Sequence, residues 1–114
     1  MSNEQGSSKL EAGKAVGLNT LVEYATASTV SRIIAKNSAG SVTLFAFDEG
    51  QSLSEHSTPF DALVQVIDGA VELTIGGEKV ITQAGEVVLM PADVPHSVNA
   101  VKPFKMLLTM LRGV

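Results

Sequence analysis

Residues Gly50 to Gly69 read GQSLSEHSTPFDALVQVIDG. A glycine turn leads into His56, and the polar crook Ser57-Thr58-Pro59 follows. Ala62 to Ile67 then has the apolar alternation of a strand, which Asp68-Gly69 turns back. A counterpart lies downstream at Gly85 to His96, GEVVLMPADVPH. It is a turn, an apolar strand, a loop stiffened by two prolines, and the chain's second histidine. Read together, the two stretches suggest a strand-built pocket with His56 and His96 near its mouth.

Outward from this centre the signals are for short strands. Upstream, Leu21 to Tyr24 reads as a short strand, Thr29 to Lys36 as a β-branched one and Ser41 to Phe47 (SVTLFAF) as a strong one. Asn37 to Gly40 turns between the last two. Downstream, Ala70 to Ile75 and Glu78 to Thr82 flank Gly76-Gly77, a two-residue hairpin signal. Glu86 to Met90, His96 to Val101 and Phe104 to Leu111 follow. About nine or ten strands, with turn signals every ~8–12 residues, read as an all-β sandwich or barrel.

The 114 residues fit one domain. Met1 to Ser8 are small and polar and read as disordered. Leu10 to Thr20 reads as a loop or frayed helix, so residues 1–20 are expected to form a flexible arm and residues 21–114 the domain. With no cysteine, disulfides, thiolate metal sites and thiol nucleophiles are excluded. A net charge of -4 and 4% aromatics argue against a nucleic-acid surface. No apolar run approaches the ~18 residues of a membrane span, and the N-terminus lacks a signal-peptide core. The expectation is a cytoplasmic protein.

Strands such as LFAF, LVQVI and MLLTML are apolar at positions of both parities. A sheet with one wet face alternates cleanly, so the outer face needs a cover. A two-fold homodimer is the expected one. A neighbouring sheet or the N-terminal arm would also serve.

The two stretches resemble the paired motifs of the cupin family. The first family motif is glycine, five residues, His-x-His, three or four residues, Glu, six residues, Gly. Here Gly50, His56, Thr58, Ala62 and Gly69 fall at those marks. The second is glycine, five residues, Pro-x-Gly, two residues, His, three residues, Asn. Gly85, Pro91, Asp93, His96 and Ala100 fall at those. The resemblance implies an all-β jelly-roll, or double-stranded β-helix, barrel. It also implies a metal held by three histidines and a glutamate, of which only His56 and His96 are present. Thr58 stands for the second histidine and Ala62 for the glutamate.

His56 and His96 are thus the candidate metal ligands, for a divalent zinc, iron, manganese or nickel ion. Two imidazoles fall short of the three protein ligands usual for catalytic zinc. Thr58, two residues from His56, would share its face on a regular strand. Asp61 and Glu55 have the wrong parity, but a bulge at Pro59 would turn Asp61 inward. Thr58, Phe60, Asp61 and Met90 are the candidate ligand-binding residues. Phe60 and Met90 also suit a core or pocket wall, Asp61 a turn-pinning hydrogen bond, and Glu55 a general acid or base. No nucleophile elbow accompanies Ser54 or Ser57, and no helix follows Gly76-Gly77 to make a phosphate loop.

Three functions compete. The first is small-molecule binding without defined catalysis, as a sensor, carrier or accessory module. The second is a metal-dependent oxygenase, isomerase or lyase acting on a small organic acid or sugar-like compound. The third is a structural barrel, favoured if Val64, Val66, Met90 and Leu108 fill the interior.

Overall fold

The computed structural model describes residues 10–112, so the reading of Met1 to Ser8 lies outside the described residues. Nine strands form: β1 Thr29–Asn37, β2 Gly40–Phe47, β3 Ser52–His56, β4 Phe60–Asp68, β5 Ala70–Ile75, β6 Glu78–Gln83, β7 Val87–Met90, β8 His96–Asn99 and β9 Phe104–Arg112. They build a five-stranded sheet, ordered β1-β2-β9-β4-β7, and a four-stranded sheet, ordered β3-β8-β5-β6. All pairings are antiparallel. From β2 to β5 and again from β6 to β9 the chain crosses between the sheets at each connection, which makes the jelly roll. No helix among the described residues is long and apolar enough to cross a membrane.

Two turns show why glycine stands where it does. Gly76 and Gly77 have φ of 58° and 86°, as a type I′ hairpin between β5 and β6 requires. Gly69, at φ 75°, lets the chain leave one sheet for the other. A Cβ there would lie 2.0 Å from the Pro103 carbonyl oxygen, so backbone contact excludes any side chain.

The core sits between the sheets. In β4, Ala62, Val64 and Val66 are buried while Asp61 and Gln65 are exposed, a two-residue period. Phe47 and Phe104 stack across β2 and β9 with ring centroids 4.8 Å apart. Each fully buried aromatic contributes about 1.5–3 kcal/mol of apolar burial. Val71, Leu73, Met90, Val98, Ala100 and Met106 complete this cluster, with Leu108 packed against it. Much of the barrel interior is therefore filled with hydrocarbon.

A second cluster explains the apolar residues of opposite parity. Val22, Leu44 and Ala46 are buried together, with Leu21, Ile67 and Leu107 against them. The chain before β1 thus covers part of the outer face of the five-stranded sheet. The strand expected over Leu21 to Tyr24 does not form. Its residues are used as cover rather than as a ladder: Leu21 offers its carbonyl to Arg32 Nη1 at 3.2 Å, and Val22 is buried.

A polar clasp holds this segment. Lys105 Nζ donates to the Asn19 carbonyl at 2.6 Å and lies 5.2 Å from the Tyr24 ring centre. The Tyr24 hydroxyl donates to Asp68 Oδ2 at 2.6 Å. Burial, helped by the bond to Asp68 and its charge, raises the Tyr24 pKa well above that of free tyrosine. Elsewhere on the outer face, Val87, Leu89 and Leu111 are 58%, 53% and 48% exposed among the described residues.

Candidate functional site

His56 ends β3 and His96 begins β8, and the two are direct partners across that ladder. Their ring centroids are 4.5 Å apart, edge to face at 66°. The placement depends on an irregularity in β3. Leu53 pairs with Val98 and His56 with His96, so three steps on β3 oppose two on β8. The extra residue brings Leu53 and His56 to the same face, toward the barrel. Without it, His56 would share the outward parity of Ser52 and Ser54.

Each imidazole is oriented by its own backbone. Nδ1 of His56 donates to the Ser54 carbonyl at 2.8 Å, and Nδ1 of His96 to the Val94 carbonyl at 3.1 Å. A carbonyl oxygen only accepts, so each Nδ1 carries the hydrogen and each neutral ring keeps its lone pair on Nε2. His56 is exposed, whereas His96 is 4% exposed. Among the described residues, Thr82 Oγ1 is the one buried side-chain polar atom without a partner. The uncommitted Nε2 of His96 therefore keeps access to solvent, beside the exposed His56.

The surrounding turns are stitched together. Ala92 N donates to Asp61 Oδ1 at 2.8 Å, and Asp93 N to the Thr58 carbonyl at 2.7 Å. Gly76 N donates to the Pro95 carbonyl at 2.8 Å. The crook after His56, the loop before His96 and the β5–β6 hairpin are thus tied at one end of the barrel. Asp93 takes φ 67°, a left-handed conformation that aspartate tolerates better than most residues.

The other candidate residues fall into distinct places. The Thr58 hydroxyl is engaged locally, donating to the Phe60 carbonyl at 3.2 Å and accepting from Phe60 N at 3.3 Å. It sits in the crook rather than two steps along a strand from His56. The bulge considered at Pro59 is absent: β4 pairs with β9 without a shift from Phe60 to Val66. Asp61 therefore keeps its outward parity, and its carboxylate pins the loop. Met90 is 3% exposed and belongs to the core. Phe60 lines a cleft of about 240 Å³ with Lys36, Asn37, Ser41, Met110 and Arg112. The sequence reading missed Lys36 and Arg112, which are brought together only by the β1–β2–β9 pairing. Neither histidine lines this cleft.

The donors do not fit the ion that the cupin resemblance implies. Among the described residues no group of three or more His, Cys, Asp or Glu is placed to hold a metal. Ala62 offers no donor, and the Thr58 hydroxyl and Oδ1 of Asp61 serve the backbone. What remains is a pair of adjacent imidazole acceptors, suited to a hydroxyl, N–H or water.

The cupin domain family model matches residues 43–110. Among solved structures, the chain is similar to a conserved Streptococcus pyogenes protein of unknown function, with 32% identity over 93% of both chains and a TM-score of 0.88. It is similar to a cupin superfamily protein from Desulfitobacterium hafniense, with 26% identity over 92% of this chain and 96% of that one, TM-score 0.86. A cupin 2 conserved barrel domain protein from Leptotrichia buccalis is 36% identical over 83% of this chain and 46% of its own, TM-score 0.81. No functionally curated protein matches the sequence.

Proposed function

The chain belongs to the cupin family, and from that premise we propose that it binds a small molecule at the barrel mouth, as a sensor, carrier or accessory module. The observation that carries this reading is the histidine pair, with both Nδ1 atoms committed and both Nε2 atoms free. Two fixed acceptors side by side suit a ligand that carries hydroxyl or N–H groups. The interior beneath them is filled by Val64, Val66, Met90 and Leu108, which confines a ligand to the mouth and is also the packing that a purely structural barrel would have.

The test is thermal melting against a panel of small organic acids and sugars, with His56→Ala/His96→Ala as control. A compound at ~100 times its Kd stabilises by about 2.7 kcal/mol, a shift of several degrees. The expected result is a dose-dependent shift that the double variant loses. A panel in which no compound shifts the wild-type chain counts against the reading.

A second reading keeps a weakly held zinc, iron, manganese or nickel ion, as a metal-dependent oxygenase, isomerase or lyase would need. The free Nε2 pair would supply two of its donors, and the lack of a third among the described residues weighs against it. Elemental analysis of protein purified without chelator decides: an equivalent of ion supports it, and a trace with no uptake on titration rejects it.

For the exposed outer face we propose a second copy as the cover. Val87 and Leu89 on the edge strand β7, and Leu111 on β9, are the residues it would bury. Sedimentation as a dimer at micromolar concentration is expected, and a monomer there rejects it.

A further inference from the structure

We propose that the cleft of Phe60 and Met110 between Lys36 and Arg112 is an anion site, one that takes the carboxylate of a small acid with an apolar or planar body. The inference goes beyond the small-molecule reading above, since neither histidine lines this cleft.

The strand pairing builds the site. Lys36 pairs with Ser41, Ser41 with Met110, and Met110 with Ala62. Directly paired residues share a face, and Ala62 is buried in the barrel core. Lys36, Ser41 and Met110 therefore lie in one row on the inner face of the five-stranded sheet. Phe60 and Arg112, a pair two residues further along, form the next inner row toward the mouth.

Arg112 is held in place. Its Nε donates to the Ser38 carbonyl at 2.7 Å, its backbone N–H to the Ala39 carbonyl at 2.9 Å, and its guanidinium centre lies 5.2 Å from the Phe60 ring centre. These contacts leave both Nη atoms without a partner among the described residues. The Lys36 ammonium likewise has none, and no described carboxylate pairs with either cation. On a chain of net charge -4, this cleft brings two cations together with no described carboxylate between them. A guanidinium with one edge anchored presents its remaining N–H groups in the fork that matches a carboxylate.

The apolar floor supplies the second half of the specificity. Phe60 and Met110 give the ligand's body a surface to lie on, and the Ser41 hydroxyl adds one polar contact. The cleft holds about 240 Å³, below the roughly 300–1,000 Å³ of drug-sized sites. A compact monocarboxylate suits this space.

The test is a ¹H–¹⁵N correlation titration of the full chain with benzoate, with benzyl alcohol as its neutral match and inorganic phosphate as an anion without a body. Benzoate is expected to shift the Lys36, Ser41, Phe60 and Arg112 amides saturably. Lys36→Met/Arg112→Met is expected to weaken it at least tenfold while keeping the dispersed spectrum. Raising salt from ~50 to ~500 mM, which contracts the screening length severalfold, is expected to weaken benzoate in the unaltered chain, so the proposal does not depend on that variant folding. Equal binding of benzyl alcohol, equal binding of phosphate, or benzoate affinity indifferent to salt or to the double substitution would each overturn it. Benzoate shifts confined to His56, His96 and the loop between Pro91 and Pro95 would overturn this site and leave the mouth reading standing. Failure of the melting panel would instead remove that reading.

Discussion

Asp61 offers the sharpest separation between a ligand-binding carboxylate and a structural one. Its Oδ1 accepts from Ala92 N at 2.8 Å, while the second tie between the same segments, Asp93 N to the Thr58 carbonyl, uses backbone alone. Asp61→Ala removes the first and leaves the second. A hydrogen bond to a charged group is worth about 1.5–3 kcal/mol. Asp61 is exposed, so solvent screens its charge and water serves the freed N–H. That places the loss near about 1 kcal/mol. With a urea slope of about 1–3 kcal/mol per molar, the unfolding midpoint falls by about 0.3–1 M. Asp61→Asn keeps an acceptor oxygen and loses about half as much. Hydrogen exchange reads the contact itself: protection of the Ala92 amide drops about fivefold in Asp61→Ala, with the strand amides of β5 and β6 following only the global change. Unchanged Ala92 protection together with an unchanged midpoint would refute the assignment of Asp61 as the loop's pin.

Three further outcomes follow from the same structure. Thr82→Val removes a buried hydroxyl without a partner and raises stability by about 1 kcal/mol in urea unfolding; a loss of stability would mean that the hydroxyl is satisfied. Gly69→Ala forces a side chain to φ 75° and against the Pro103 carbonyl, costing about 3 kcal/mol; a midpoint within error of the parent would contradict the close approach. Tyr24 is the chain's one tyrosine, so tyrosinate absorbance reports it alone. Its raised pKa means that the clasp's contribution is fully present below the ordinary value near ~10 and is lost as pH climbs through the higher folded value. Titration at the free-tyrosine value would show that the clasp is open.

The strands were legible because their local chemistry agrees with their setting. SVTLFAF, AVELTI and the Gly76-Gly77 turn carry β-branched or aromatic alternation and a turn that only glycine favours. The histidine pair was legible through motif spacing, which puts His56 and His96 at the ends of neighbouring strands. Long-range pairing was not. The β3 irregularity that turns His56 inward exists only against β8, whereas the local signal for a bulge, a proline, lies at Pro59. The parity of Asp61 was read correctly, but its partner Ala92 lies 31 positions away. Lys36 and Arg112 looked scattered because only the β1–β2–β9 pairing unites them. Leu21 to Tyr24 has strand-like residues but lacks a strand partner, and local composition does not reveal that.

The most direct measurement is the long-range ¹H–¹⁵N spectrum of the chain's two imidazoles, taken alone and with a compound that raises the melting temperature. Both neutral rings are expected to carry hydrogen on Nδ1, and both Nε2 resonances to move together along one binding curve. An Nε2–H tautomer at either ring, or a ligand that moves one imidazole and leaves the other untouched, would contradict a shared site.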